Sequence, residues 1–371
     1  MILRSATAGG LVAFGLTFAA PAEACNLSSS SVIQAGLSVK TACGPLAPLV
    51  EDGWATFVAR FVEDGRVVDN ANGFISHSEG QGYGMILAAR LGDQETFRAL
   101  WAWTERELMA DGQTLPAWRW DPAATPKVAD RNNATDGDML IAWGLLLGAD
   151  RWSVPEWRTK ALDILEAVQR TSVLKTARGP VLLPGRLGFR AEDRADGPVF
   201  NPSYAIFPAF EAFAVADPAH DWSGLAEASL RFVNASRTGP LGLAPDWVSL
   251  AKDRLTPATG FPPVFGYNAV RIPLYLAMSK MPGARDALQS YSGLWNVQDN
   301  VGPFVIDVRS GSAMEPLEAG GYRLIAAIAD CIVKGAAIPT SAFAQSDAHY
   351  YPAALALLAL LTFDEVYPEC L

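Results

Sequence analysis

Four segments of this chain, residues 136–149, 204–216, 267–278 and 353–361, are apolar around nearly their whole helical circumference. A helix with no polar face has to be buried on every side. Between these segments lie others whose apolar residues keep to one stripe. Trp54, Phe57, Val58, Phe61 and Val62 follow the i, i+3, i+4, i+7, i+8 spacing. Phe97, Leu100, Trp101, Thr104 and Leu108 repeat it behind an N-cap at Asp93. Ser153-Val-Pro-Glu156 reads as a capping box opening another such helix, with Trp157, Ala161, Leu162, Leu165 and Val168 on one side. About eleven or twelve helices result, with buried and striped ones tending to alternate. Two concentric rings produce that alternation: an inner ring, and an outer one that turns its single apolar stripe inward. Residues 180–200 and the Gly/Pro-rich 238–264 read as long loops. No low-complexity linker or shift of composition divides the chain, so one all-α domain over residues 25–371 is expected.

The first 24 residues stand apart from it. Arg4 gives a positive start, residues 11–20 an apolar core, and Ala22-Glu23-Ala24 the small-x-small pattern of a cleavage site. The apolar run is too short to span a bilayer, so an exported, secreted or periplasmic protein without a membrane span is expected. Cys25 would follow the cut directly, but lipidation signals want a Leu-like residue where Ala22 stands. Of the four cysteines, Cys25 with Cys43 and Cys331 with Cys370 are the local pairs among three connectivities. They form neither a CxxC nor a Cys/His cluster, so neither a metal site nor a cofactor is indicated. The formal net charge of −10 argues against nucleic acid, which asks for a basic footprint, and suits a neutral or cationic ligand. Eleven tryptophans fill core space for the most part, yet also offer faces on which sugar rings stack. The chain is expected to act as a monomer.

Unusual polar residues fall where the buried helices begin. Glu79 opens a helix at Ser78-Glu-Gly-Gln81, Asp136 another at Thr135-Asp-Gly-Asp138, Asn201-Pro-Ser-Tyr204 a third and Tyr267-Asn268 a fourth. Each alone is an ordinary cap or first-turn acid. If the inner helices run parallel, all four gather at one mouth of the double ring.

The run Ser78-Glu-Gly-Gln-Gly-Tyr-Gly-Met85 resembles the acid-bearing segment of glycoside hydrolase family 8. Ala134-Thr-Asp-Gly-Asp138, with Ala142 and Trp152 beyond it, is similar to that family's signature helix. Asn201-Pro-Ser-Tyr204, Pro245-Asp-Trp247 and Gly266-Tyr-Asn-Ala-Val-Arg271 follow in the family's order. The likeness spans most of the chain and is greatest to the bacterial endoglucanases associated with cellulose synthesis. It implies an (α/α)6 barrel and inverting hydrolysis of a β-1,4-linked polysaccharide: cellulose, or in sister groups xylan or chitosan. It places Glu79 on the general acid and Asp136 on the carboxylate that holds the distorted sugar. Trp118 falls near a sugar platform, Tyr204 beside the attacking water, and Arg271 on a residue that supports the base.

One position departs from the pattern. The family's base is an Asp where this chain has Asn268, and an amide does not take a proton from water. Asp246 and Asp253 on the loop before it, and Asp138 on the signature helix, are the candidate replacements. Three readings follow: an active endo-β-1,4-glucanase with a relocated or weakened base, a glucan-binding protein that no longer cuts, and a chitosanase whose cationic substrate suits the acidic chain.

Overall fold

The computed structural model describes residues 44–294, 303–338, 340–343 and 347–371. The leader, Cys25 and Cys43 lie outside these residues. Eleven α-helices are present among them: α1 (Ala47–Phe61), α2 (Ser78–Leu91), α3 (Gln94–Trp103), α4 (Thr135–Trp152), α5 (Pro155–Ser172), α6 (Phe207–Ala216), α7 (Trp222–Ala235), α8 (Arg271–Met278), α9 (Ala284–Leu288), α10 (Gly320–Lys334) and α11 (Tyr350–Val366). Helices α2, α4, α6, α8, α10 and α11 touch in that order and close back onto α2, forming the inner ring. Helices α1, α3, α5, α7 and α9 lie outside, and a 3-10 turn at Thr340–Phe343 stands in sequence where a sixth outer helix would. The fold is the expected (α/α)6 barrel. Burial divides the rings as the patterning requires: residues 135–149 of α4 are buried without exception, whereas α5 buries one stripe that includes Trp157, Ala161, Leu165 and Val168.

Helices α2 and α4 approach closely, and glycine permits it. A Cβ on Gly82 would lie 2.4 Å from the Cβ of Leu140, and one on Gly137 would lie 2.0 Å from Ser78 Oγ and 2.8 Å from the backbone nitrogen of Glu79. Both glycines of the two long motifs therefore set the spacing between the first turns of α2 and α4. Gln81 fixes the other side of α2. Its fully buried amide accepts from Val67 N at 2.6 Å and donates to Gly65 O, Leu100 O and Thr104 Oγ1. Asp93 caps α3 as expected, accepting from Thr96 N. Cys331 and Cys370 are paired, tying α10 to the C-terminal turn.

Three local expectations are corrected. Ser153 does not open α5: it takes a left-handed conformation (φ 54°) as the C-cap of α4, and α5 starts at Pro155 with no side-chain cap. Two residues alone join these helices, so Ser153 has to turn the chain and is lost to the extended geometry an N-cap uses. Residues 204–216 are not one helix. Asn201 caps a 3-10 turn at Pro202–Tyr204, and α6 begins only at Phe207, because Pro208 in a continuous helix would clash with the carbonyl of residue 204. Helix α8 likewise begins at Arg271 and not at Tyr267. Pro273 bars the earlier start, and Asp246 Oδ1 holds the turn before it by accepting from Gly266 N and Ala269 N. The two long loops carry short strands: Val199–Phe200 pairs with Val248–Ser249, which pairs with Thr256–Pro257.

Candidate active site

The N-terminal ends of the inner helices come together at one mouth, around a cleft of about 890 Å³ lined by residues that include His77, Glu79, Tyr267, Asn268, Arg271, Tyr322, Tyr350 and Tyr351. Arg271, 1% exposed, occupies its floor. Its Nη1 donates to Glu79 Oε1 at 2.9 Å and to Asp136 Oδ2 at 3.0 Å. Its Nη2 donates to Ser203 Oγ at 2.9 Å and to Asn268 Oδ1 at 3.2 Å. One guanidinium thus joins the first turns of α2 and α4, the 3-10 turn before α6 and the turn before α8, residues 192 positions apart in the case of Glu79. Sequence reading gave Arg271 a place beside position 268, and it is there; its grip on both carboxyls goes beyond that expectation.

Glu79 and Asp136 differ in surroundings. The Asp136 side chain is 3% exposed, accepts from Arg271 Nη1, and accepts from Gly137 N through Oδ1. Glu79 is 21% exposed and faces the cleft. Burial pushes its carboxyl above the ordinary range; the Arg271 charge pulls the other way, and neighbouring Asp136 adds to the rise. A half-buried carboxyl with a raised pKa beside an open cleft is suited to protonating an oxygen bound there.

The network fixes how Asn268 points. Its Oδ1 accepts from both Arg271 and Asn201 Nδ2, the latter at 3.0 Å, so the oxygen carries two donors. Its Nδ2 faces Asp246 Oδ2 at 3.5 Å. Asn268 lines the cleft with an amide whose oxygen is already engaged. Asp246 lies behind it, 7% exposed, with Oδ1 used by two backbone N–H groups and its carboxyl raised by burial. Neither other replacement candidate stands in the cleft. Asp253 is fully exposed on its loop beside Arg178. Asp138 is fully buried, accepts from Asn133 Nδ2, and is pushed well above the usual range by burial.

Trp118 is half-buried at the cleft edge, donating Nε1–H to Asp130 Oδ2 at 2.9 Å, with the His77 ring 6.2 Å away. The antiparallel pairing of Ser76–His77 with Arg119–Trp120 puts it there. Tyr204 packs against the Arg271 guanidinium, 5.7 Å from its ring centre. Several cleft residues escaped sequence reading. His77 lines the wall with Nε2 3.1 Å from Asp69 Oδ2. Tyr350 and Tyr351 open α11, and Tyr322 sits in the first turn of α10. The signal was available: residues 353–361 already read as a buried helix, and its opening residues belonged at the same mouth. No group of three or more His, Cys, Asp or Glu side chains is arranged for a metal ion among the described residues.

An (α/α)6 barrel with two carboxyl groups bridged by an arginine beneath an aromatic-walled cleft defines a class, the glycoside hydrolases. Within it, the sequence model of the glycosyl hydrolases family 8 matches residues 26–365, and the chain belongs to that family. It is 37% identical over 325 residues to a probable endoglucanase of Novacetimonas hansenii, covering 85% of this chain and 92% of that one. An endoglucanase of Cellulomonas uda is 37% identical over 286 residues, 72% of this chain and 79% of the relative. Among solved structures, the endo-beta-1,4-glucanase CMCax from Acetobacter xylinum superposes with a TM-score of 0.74 at 35% identity, covering 85% of this chain and 97% of its own.

Proposed function

We propose that this protein is an exported endo-β-1,4-glucanase that hydrolyses its substrate with inversion, Glu79 giving its proton to the departing glycosidic oxygen. The observation that carries the reading is Glu79 itself, a cleft-facing carboxyl beside Asp136 that Arg271 holds in place and whose pKa burial raises against the pull of the Arg271 charge. Family relatives named as endoglucanases support the substrate class. Asp136, buried and accepting from Arg271 Nη1, is suited to holding a distorted sugar at the cleavage point. Trp118, at the cleft edge, is the sugar platform of the proposal. The apolar run of the leader motivates export.

Water attack from the opposite face is the weak half of this site. An inverting pair ordinarily leaves room for water between acid and base, with carboxyls ~6.5–9.5 Å apart. Here Asn268 puts an amide where a base would stand, Asp246 is engaged by backbone, and Asp138 and Asp253 are out of reach. The enzyme of this proposal is therefore slow, its water oriented by polar groups without a strong acceptor. Proton NMR of a cellooligosaccharide digest tests it: α-anomeric product appears first if inversion holds, and β-product first rules inversion out. Early loss of viscosity in a soluble β-1,4-glucan tests the endo mode. A second reading, a glucan binder that no longer cuts, is favoured by the doubly bonded Asn268 carbonyl, and absence of any product would select it.

A further inference from the structure

Phe74 is an exposed aromatic residue, 60% accessible, on a left-handed backbone (φ 61°). A left-handed conformation is a genuine outlier for a bulky residue. Among the described residues it is the one exposed large apolar side chain on such a backbone. The surroundings impose the conformation. The buried Arg66 side chain draws the Phe74 carbonyl inward at 2.9 Å while also donating to Ser76 Oγ. Asp69 closes the loop's base, its N–H bonded to Ile75 O and its carboxylate accepting from Ala71 N. With its backbone pulled in at that point, the ring has nowhere to go but outward.

The position of this ring is what gives it a use. Asp69, Ala71 and Asn72 of the same loop line the cleft, and Asn70 bonds the loop to Ala348 and Tyr350 on the cleft wall. Glu79 comes five positions after Phe74, at most ~18 Å of chain. Phe74 itself lies outside the cleft lining, two positions after Asn72 and three before His77, which do line it, and its exposed ring offers a flat apolar face to a polymer that extends past the cleft. We propose that Phe74 is an accessory platform on which a β-1,4-glucan chain stacks outside the cleft, adding affinity for long chains that short oligosaccharides do not reach. The inference rests on the endoglucanase reading above and extends it to substrate length.

The test compares Phe74→Gly, which suits the left-handed backbone, with Phe74→Trp, which keeps an aromatic face. KM is measured on a soluble β-1,4-glucan polymer and on cellotetraose, with the melting temperature of each variant. Phe74→Gly should raise KM for the polymer roughly threefold to tenfold, the range of one aromatic contact. Its kcat and its KM for cellotetraose should stay near wild type, its melting temperature should not fall, and Phe74→Trp should restore polymer KM. An unchanged polymer KM in Phe74→Gly overturns the inference, as does an equal loss on both substrates, which would make Phe74 a support of the central site. Wild-type protein that neither cuts nor binds the polymer overturns the endoglucanase reading and this inference together.

Discussion

Replacing Asn268 by Asp puts a carboxylate where the cleft now meets an amide. In the Asn268 position, one oxygen of the new group would lie about 3.2 Å from Arg271 Nη2, and the other about 3.5 Å from Asp246 Oδ2. At an effective dielectric constant of ~20, the attraction and the repulsion are each about 5 kcal/mol and nearly cancel. The new carboxylate is therefore free to ionise, and what the fold loses is the long Nδ2 contact with Asp246. If the enzyme is slow for want of a proton acceptor, Asn268→Asp raises turnover on the order of 10²-fold, the low end for acid–base catalysis. That gain equals ~2.7 kcal/mol of barrier. The assay is reducing-end release from a soluble β-1,4-glucan between pH 5 and 8, with Asn268→Ala as the control that removes the amide without supplying a base. Adding Asp246→Asn to Asn268→Asp removes the repulsion and should increase the gain. An Asn268→Asp variant no faster than wild type refutes the reasoning, since the water would then already have an acceptor.

Two further substitutions probe neighbouring claims. Trp118→Ala should weaken cellooligosaccharide binding in titration calorimetry and cost far less stability than the ~3–5 kcal/mol of a buried tryptophan, because Trp118 is half-exposed at the cleft edge; a loss of that full size would make it a core residue. Asp138 is raised by burial in the folded state, so the native protein retains a proton that the unfolded chain gives up above about pH 3.9. Its stabilising share is complete below that pH and declines as pH rises toward the raised value. Asp138→Asn should flatten this part of the melting-temperature profile while leaving activity in place; an unchanged slope would refute the assignment.

What the sequence made legible follows from what is periodic and what is local. Helices without a polar face had to be inner and striped ones outer, which is enough to require two rings. The glycines of residues 78–85 and 134–138 were visible as motif letters, but their reason is a contact between α2 and α4 that no single segment contains. The same limit explains Arg271. Its place in a helix start was readable, whereas its hold on Glu79 and Asp136 depends on three helix ends meeting in space. Asn268 was recognisable as a departure, but the direction of its amide is set by Asn201, Arg271 and Asp246 together. Prolines 208 and 273 could have corrected the starts of α6 and α8, since their effect on a helix is local.

The account turns on Glu79 as the proton donor, and Glu79→Gln tests that claim with almost no change of shape. The amide keeps an oxygen for Arg271 but has no proton to give. Reducing-end release from a soluble β-1,4-glucan should fall by ~10²–10⁴-fold, with binding of cellooligosaccharide and melting temperature nearly unchanged. Wild-type activity should also persist above the ordinary carboxylate range and fade as pH rises through the raised value of Glu79. A Glu79→Gln protein that keeps more than about a tenth of wild-type turnover would contradict the assignment, since loss of a general acid costs at least ~10²-fold.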